Sequence, residues 1–297
     1  MRVWLNGRLV DDKDASISVF DRGFLFGDAV YEVVRLFDGV AVGMDLHTAR
    51  LRRSLAGSFI DGFDASDFAK ICALLMEANE LRNGSVYLQV SRGAAQTRLH
   101  MPPLGITPTV FACASVCGPL VELERIPSVA CATANDERWH HCEIKTTALL
   151  GHLLPMLERR QAGIDEVILF RNGLLSEGCS TNVFVEVGGR LVTPPVDSDP
   201  PILHGVMRTR LLESCIEAGV PCDVRPVREH EVRGSSEIIL TASRRIFSAV
   251  TTLNGAPVGD GEIGPLARRA NAALLARLTR ECAPATARTG STPILAS

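Results

Sequence analysis

The stretch LLSEGCSTNVFV, residues 174–185, puts a single acid among very small residues. Glu177 is followed by Gly178, Cys179, Ser180 and Thr181, and then by Asn182-Val183-Phe184-Val185. The β-branched and aromatic residues of that last run suit a half-buried strand. A carboxylate at its mouth is either a solvated turn residue or a charge held against a cation or a hydrogen-bond donor. The answer depends on what the rest of the chain can bring to it.

Outward from this stretch, strands and helices are mixed. EVILF leads into an Asn172-Gly173 turn, and NVFVEVGGRLVT reads as a hairpin around Gly188-Gly189. Asn6-Gly7 and Asp38-Gly39 give two further hairpin signals near the N-terminus. Helical spacing appears in LHTARLRRSLAGSFI (Leu51, Leu55, Phe59) and in DFAKICALLMEA (Phe68, Ile71, Leu75, Ala78). Later helices are expected in TALLGHLLPMLERRQAG, where Pro155 kinks the helix or opens a second segment, in VMRTRLLESCIEAG up to Gly219, and in PLARRANAALLARLTRE.

Periodicity lapses near CGPLVELERIPS. We therefore expect a small N-terminal α/β domain over 1–118, a linker at 119–123, a larger C-terminal domain over 124–283 and a disordered tail over 284–297. The class is α/β, or α+β in two lobes, with a cleft between the lobes as the default site.

Composition narrows the function. Of 297 residues, 46% are hydrophobic and 22% charged, which is ample for a buried core. The net charge of -3 gives no support to nucleic acid or an anionic membrane as partner. No apolar run approaches the roughly 18 residues of a spanning helix, and the N-terminus lacks a signal-peptide block. The nine cysteines stand singly, with no CxxC, as reduced thiols in a cytoplasm would. His140, His141, Cys142 and Glu143 are adjacent, so their side chains alternate in direction and share one ion poorly; no metal is expected. No GxGxxG or P-loop occurs.

The chain has only three lysines against 28 arginines, within its 31 basic residues. Lys13 and Lys70 lie in polar surroundings. Lys145 closes a strand-like run, CEIK, just ahead of a helix. It either snorkels to the surface or is an amine kept partly buried for Schiff-base chemistry. Arg50, with Arg52 and Arg53 beside it, is a solvated face or a phosphate fork. In LHGVMRTR, Gly205 opens a helix whose amides at Val206 and Met207 can take an anion. A lysine, a phosphate site and a lone acid are together what pyridoxal 5'-phosphate requires, for its aldehyde, its phosphate and its ring nitrogen.

The segments EGCSTNVFVEVGGRLVTP and LHGVMR, with DRGFLFGDAVYEVVRLFDG, LHTARLRRS, CEIKTTALL and GSSEIILTAS, resemble the class IV pyridoxal-phosphate aminotransferases, in order over most of residues 20–255. The resemblance implies the fold type IV architecture and a homodimer. It assigns Lys145 as the Schiff-base lysine, Glu177 as the ring-nitrogen partner and Arg50 as a phosphate ligand. VYLQVSRGAAQTRLHMPP resembles the D-amino-acid aminotransferase branch, in which Tyr31, Arg98 and His100 would grip the substrate carboxylate. The substrates would then be D-amino acids and 2-oxo acids. Branched-chain L-aminotransferases, (R)-amine transaminases and aminodeoxychorismate lyases share the cofactor and are the alternatives. A metal-dependent hydrolytic or non-catalytic protein built around His140, His141 and Cys142 is the alternative from another class. Two departures stand out: Met207 occupies the place of the family's usual Thr, and the hydroxyl of the later phosphate loop matches Ser243 best, with Thr241, two residues earlier, the other candidate.

Overall fold

The computed structural model describes residues 1–197, 199 and 201–283; the stretch 284–297, expected to be a tail, lies outside the described residues. The first sheet is built from β1 (Arg2–Leu5), β2 (Arg8–Asp11), β3 (Ala29–Phe37), β4 (Val40–Ala41), β5 (Gly84–Ser91) and β6 (Thr109–Val116), in the order β2-β1-β6-β5-β3-β4. All its pairings are antiparallel. The hairpin turns are written in local chemistry. Asn6 and Gly7 adopt φ of 47° and 92°, and Asp38 and Gly39 adopt 48° and 85°, the left-handed values that a two-residue turn needs.

Helices α1 (Arg22–Phe26), α2 (Met44–Gly57) and α3 (Asp67–Ala78) belong to this half of the chain. The buried positions of α2 are His47, Arg50, Leu51, Ser54 and Leu55, a three-and-four spacing that puts one face inward. Leu51 and Leu55 pack with Phe68, Ile71 and Leu75 of α3 and with Val30, Val34, Val86 and Leu88 of the sheet. Truncating a fully buried leucine such as Leu51 to alanine would cost about 2–5 kcal/mol.

The second sheet holds β7 (Ser128–Asn135), β8 (Glu166–Arg171), β9 (Leu174–Gly178), β10 (Asn182–Val187), β11 (Arg190–Thr193), β12 (Cys222–Val224), β13 (Ile238–Thr241), β14 (Ser248–Leu253) and β15 (Ala256–Pro257). Its order is β12-β11-β10-β13-β14-β7-β8-β9, with β15 beside β14. The β11–β12, β14–β7 and β7–β8 pairs are parallel and the rest antiparallel. Helices α4 (Leu150–Glu158), α5 (Val206–Glu217), α6 (Glu229–Arg233) and α7 (Pro265–Cys282) complete the chain. Glu237 lies against the first turn of α7, where its carboxylate accepts from Leu266 N at 3.0 Å and Ala267 N at 2.7 Å, as the helix dipole favours.

Two details depart from the sequence reading. The run before Lys145 is not a strand: residues 136–149 form an irregular crossing between β7 and α4, and the helix begins at Leu150. Pro155 sits inside α4, which gives way to a 3-10 turn at Arg160–Ala162. Residues 120–124 form a 3-10 turn whose Leu120 and Leu123 pack on the core of the second half, and Asn271 Nδ2 of α7 donates to Leu123 O at 2.9 Å.

Candidate active site

Lys145 is placed by backbone pairing. β4 covers only the last residues of β3, at Leu36 and Phe37, so the first part of that edge is open. Residues 145–147 take it. Tyr31 N donates to Lys145 O at 2.9 Å, Val30 bridges Thr146, and Thr147 N donates to Ala29 O at 3.0 Å. From the other side Lys145 N donates to Ser54 Oγ of α2 at 3.1 Å. A buried edge must satisfy its backbone groups somewhere, and doing so here fixes the lysine. The residue is half-buried, and its Nζ stands 4.3 Å from the centroid of the Tyr31 ring.

Glu177, at the end of β9, is buried and held rather than solvated. Arg138 Nη1 donates to its Oε1 at 2.9 Å, while Asn182 Nδ2 and Leu203 N donate to Oε2 at 3.2 and 3.1 Å. Those three bonds leave one of the roughly four acceptor positions of a carboxylate, on Oε1, for another donor. Burial pushes the Glu177 carboxyl up from its ordinary value, and the Arg138 charge opposes that push. Arg138 is itself braced by Asp136, through bonds of 2.9 and 3.0 Å. Burial would raise Asp136, but the Arg138 guanidinium outweighs it and holds this carboxyl at about 2.

Arg50 is also buried. Its Nε and Nη2 fork onto Glu32 of β3 at 2.7 Å each, and its Nη1 donates to His204 O at 3.0 Å. That last bond aims the guanidinium at the start of α5, leaving further N–H donors there. The N-cap of α5 is Gly205, and no side chain caps the first turn, so the Val206 and Met207 amides keep the character of an anion site. Asn182 needs Gly205 to be glycine, because a Cβ would run into its side chain. Glu32 would be raised by burial, but Arg50 outweighs this and brings it to about 2. His47 Nδ1 lies 2.7 Å from Glu32 Oε2; burial lowers the imidazole's pKa.

The segment 203–206 thus joins two ends. Leu203 N binds Glu177, and His204 O binds Arg50 just ahead of the α5 amides. Thr241, across from Asn182 in the β10–β13 pairing, has a buried Oγ1 with no hydrogen-bond partner. Ser243 lies in the turn beyond β13 and is half-buried. An orphaned hydroxyl, uncapped amides and a buried guanidinium suit a phosphate, and Glu177 suits a protonated ring nitrogen. The donor set fits pyridoxal phosphate.

The residues of the expected carboxylate grip have different ring neighbours. Tyr31 stands over Lys145 and beside Tyr87, ring centroids 5.5 Å apart. Arg98 and His100 are exposed, and both lie against Phe26, at 5.0 and 5.9 Å from its ring centroid. Around His140 each group has its own partner: His140 faces Arg171, His141 faces Glu143, and Cys142 donates to Trp139 O. Among the described residues no group of three or more His, Cys, Asp or Glu is arranged for a metal, and no helix is long and apolar enough to cross a membrane.

Three site residues escape a reading of the sequence alone. Glu32 left a signal, a lone acid inside the apolar strand run AVYEVVRLF, the same anomaly that exposes Glu177. Arg138 and Asp136 left none, since DERW reads as any polar loop.

Comparison with known proteins agrees with this geometry. A family model described as amino-transferase class IV matches residues 29–253. A D-alanine aminotransferase of Bacillus licheniformis is 35% identical over 95% of this chain and 99% of its own. Among solved structures, the branched-chain amino acid aminotransferase of Escherichia coli superposes with a TM-score of 0.83 at 23% identity, covering 91% of each chain. A hypothetical aminotransferase of Mycobacterium tuberculosis in a PLP-bound form gives 0.78 at 22% identity, over 93% of this chain and 100% of that one. The structural likenesses speak to the fold; the family match spans most of the chain and contains Lys145, Glu177, Arg50 and the start of α5, and this protein therefore belongs to the class IV aminotransferases.

Proposed function

We propose that the chain moves an amino group between a D-amino acid and a 2-oxo acid, of the D-alanine, D-glutamate, pyruvate and 2-oxoglutarate type, using pyridoxal 5'-phosphate. The observation that carries the cofactor reading is the path from Glu177 through Leu203 and His204 to Arg50, with Lys145 held beside it on the β3 edge. The D preference is supported by relatives named D-alanine aminotransferase, at 35% and 30% identity over 95% and 90% of this chain.

Bound pyridoxal phosphate supplies an aldehyde to receive the amino group and an electron-withdrawing ring. The remaining chemistry belongs to the chain. Lys145 would hold the cofactor, and its Nζ would be the base that takes the substrate's α-proton and returns it. Glu177 would face the ring nitrogen's proton through its free acceptor position, and the Arg138 charge opposes the rise that burial imposes on its carboxyl. Arg50, the Val206 and Met207 amides and the Thr241 hydroxyl would hold the phosphate, Thr241 being preferred to Ser243 because its Oγ1 is buried and unsatisfied among the described residues.

Tyr31, Arg98 and His100 receive the substrate carboxylate, the last two across a homodimer interface. Apolar side chains are exposed along their loop, Leu99 at 55%, Met101 at 80% and Leu104 at 102%, with Phe24 of α1 at 69%, as an association surface would have. A donor panel of paired D and L amino acids tests the substrate reading; preference for L-leucine or L-isoleucine would refute it while leaving the cofactor in place. Mixing Lys145→Ala with Arg98→Ala chains tests the dimer. If Arg98 serves the neighbour's lysine, mixed dimers regain activity that neither variant has.

A further inference from the structure

We propose that Arg22 is a positioning residue for substrate recognition, holding the backbone of the loop that presents Arg98 and His100. The inference rests on the carboxylate role given to those two residues above. Between Ala95 and Thr109 the chain has no regular structure, and residues 98–101 are exposed. A loop of that kind presents a cation in one place only if something fixes its backbone. Arg22, at the start of α1, does so. Its Nη1 donates to Leu99 O at 2.6 Å and its Nη2 to His100 O at 2.7 Å.

The guanidinium is fixed in turn. Its Nε donates to Asp28 Oδ2 at 2.8 Å, and Arg92 grips the same carboxylate through Nε and Nη2, also at 2.8 Å. Arg92 Nη2 reaches Ser58 O at the end of α2, at 2.8 Å. Arg22 is 5% exposed, so these bonds are sheltered from water. Phe26, one turn along α1, completes the platform. The Arg22 guanidinium lies 4.8 Å from its ring centroid, Arg98 lies 5.0 Å away, and the His100 ring meets it edge-on at 5.9 Å.

The same stretch also touches the lysine's neighbours. Gly27 O accepts from Thr147 Oγ1 at 3.2 Å, and Ala29 O accepts from Thr146 Oγ1 at 3.1 Å. Gly27 adopts φ of 66° with Ala148 packed against it, so the chain turns here at close quarters. Residues 21–29 therefore tie the Arg98 loop and the Lys145 segment to one support. Only arginine can reach two carbonyls and a carboxylate at once; lysine keeps the charge and loses the fork.

The test is a mutant cycle on the holoenzyme, with D-alanine as donor. Arg22→Lys should raise KM about tenfold or more with a smaller change in kcat, as expected when charged hydrogen bonds that position a binding group are lost. In an Arg98→Ala/His100→Ala background the same substitution should add nothing, because the groups it positions are gone. Inhibition by propionate, which needs no turnover, should weaken in parallel. If Arg22→Lys costs the same factor in both backgrounds, or leaves KM unchanged, the inference fails while the carboxylate reading stands. If Arg98→Ala/His100→Ala itself leaves KM unchanged, the carboxylate reading fails and this inference with it. Should Arg22→Lys not fold, Phe26→Leu replaces it in the same cycle: a KM increase confined to the parent background supports the platform, and an equal effect in both backgrounds overturns it.

Discussion

Glu177 and Arg138 form a buried ion pair, with Oε1 accepting from Nη1 at 2.9 Å. Neither charge is expendable alone. Burial raises the Glu177 carboxyl, and Arg138 opposes this with a full charge in direct contact. The Arg138 charge thus offsets, inside a buried site, part of the cost that burial imposes on the ionised carboxylate.

Two outcomes follow for this pair. Glu177→Gln should retain cofactor and lose about 10- to 100-fold in turnover, since a contact of roughly 1.5–3 kcal/mol to a charged group is gone. Arg138→Met should move the acid limb of the pH–rate profile upward. The sign is fixed by the raised carboxyl: Glu177 acts only when ionised, and without Arg138 it takes its proton at a higher pH. An unmoved limb would mean that Glu177 does not set it.

Lys145 should be the residue that carries the cofactor. Borohydride reduction followed by peptide mapping should mark the CEIKTTALL peptide and spare Lys13 and Lys70. Lys145→Ala should lose at least the 10²–10⁴-fold that a positioned general base contributes. A mark on either other lysine would remove Lys145 from the centre of the site.

What was legible in the sequence was what local chemistry writes. The Asn6-Gly7, Asp38-Gly39 and Asn172-Gly173 turns all adopt left-handed φ, as their dipeptides require. Helices α3 and α5 show their buried faces in the spacing of their apolar residues. Glu177 and Lys145 stood out because a charge interrupting small or apolar residues is an anomaly. Partners did not stand out. Arg50 finds Glu32 across 18 positions and Glu177 finds Arg138 across 39, and nothing local records such pairings. The run before Lys145 imitated a strand because Cys142 and Ile144 alternate inward, although the bridge to β3 falls just beyond the lysine, at Thr146.

Glu32 predicts the protein's response to acid. Its carboxyl falls from an ordinary 4.5 to about 2 in the folded state. A depressed carboxyl contributes stability that is present above the ordinary value and lost as pH falls through the folded one. Glu32→Gln should therefore be less stable at pH 7, by about 3–5 kcal/mol, because it leaves Arg50 buried without its counter-charge. It should also lose less further stability than the parent between pH 4.5 and about 2. Denaturant titrations at pH 7 and pH 3 read both differences. Parallel loss in the two proteins would show that Glu32 is not the acid-sensitive group.

The phosphate hydroxyl can be assigned by comparing two conservative variants. Thr241→Val keeps the shape of a fully buried side chain and removes only an Oγ1 that has no partner among the described residues. Folding should therefore lose little, since no internal bond is broken. Cofactor affinity should fall about tenfold, the value of one hydrogen bond to a charged group. Ser243→Ala, in the half-buried turn beyond β13, should change affinity by no more than about twofold. Cofactor release on dialysis, followed by absorbance, ranks the two directly. The reverse ranking would give the hydroxyl to Ser243 and leave the buried Thr241 unexplained. If both variants hold cofactor as the parent does, the phosphate depends on Arg50 and the α5 amides alone, the outcome that Met207 in place of a hydroxyl residue makes most costly to this enzyme.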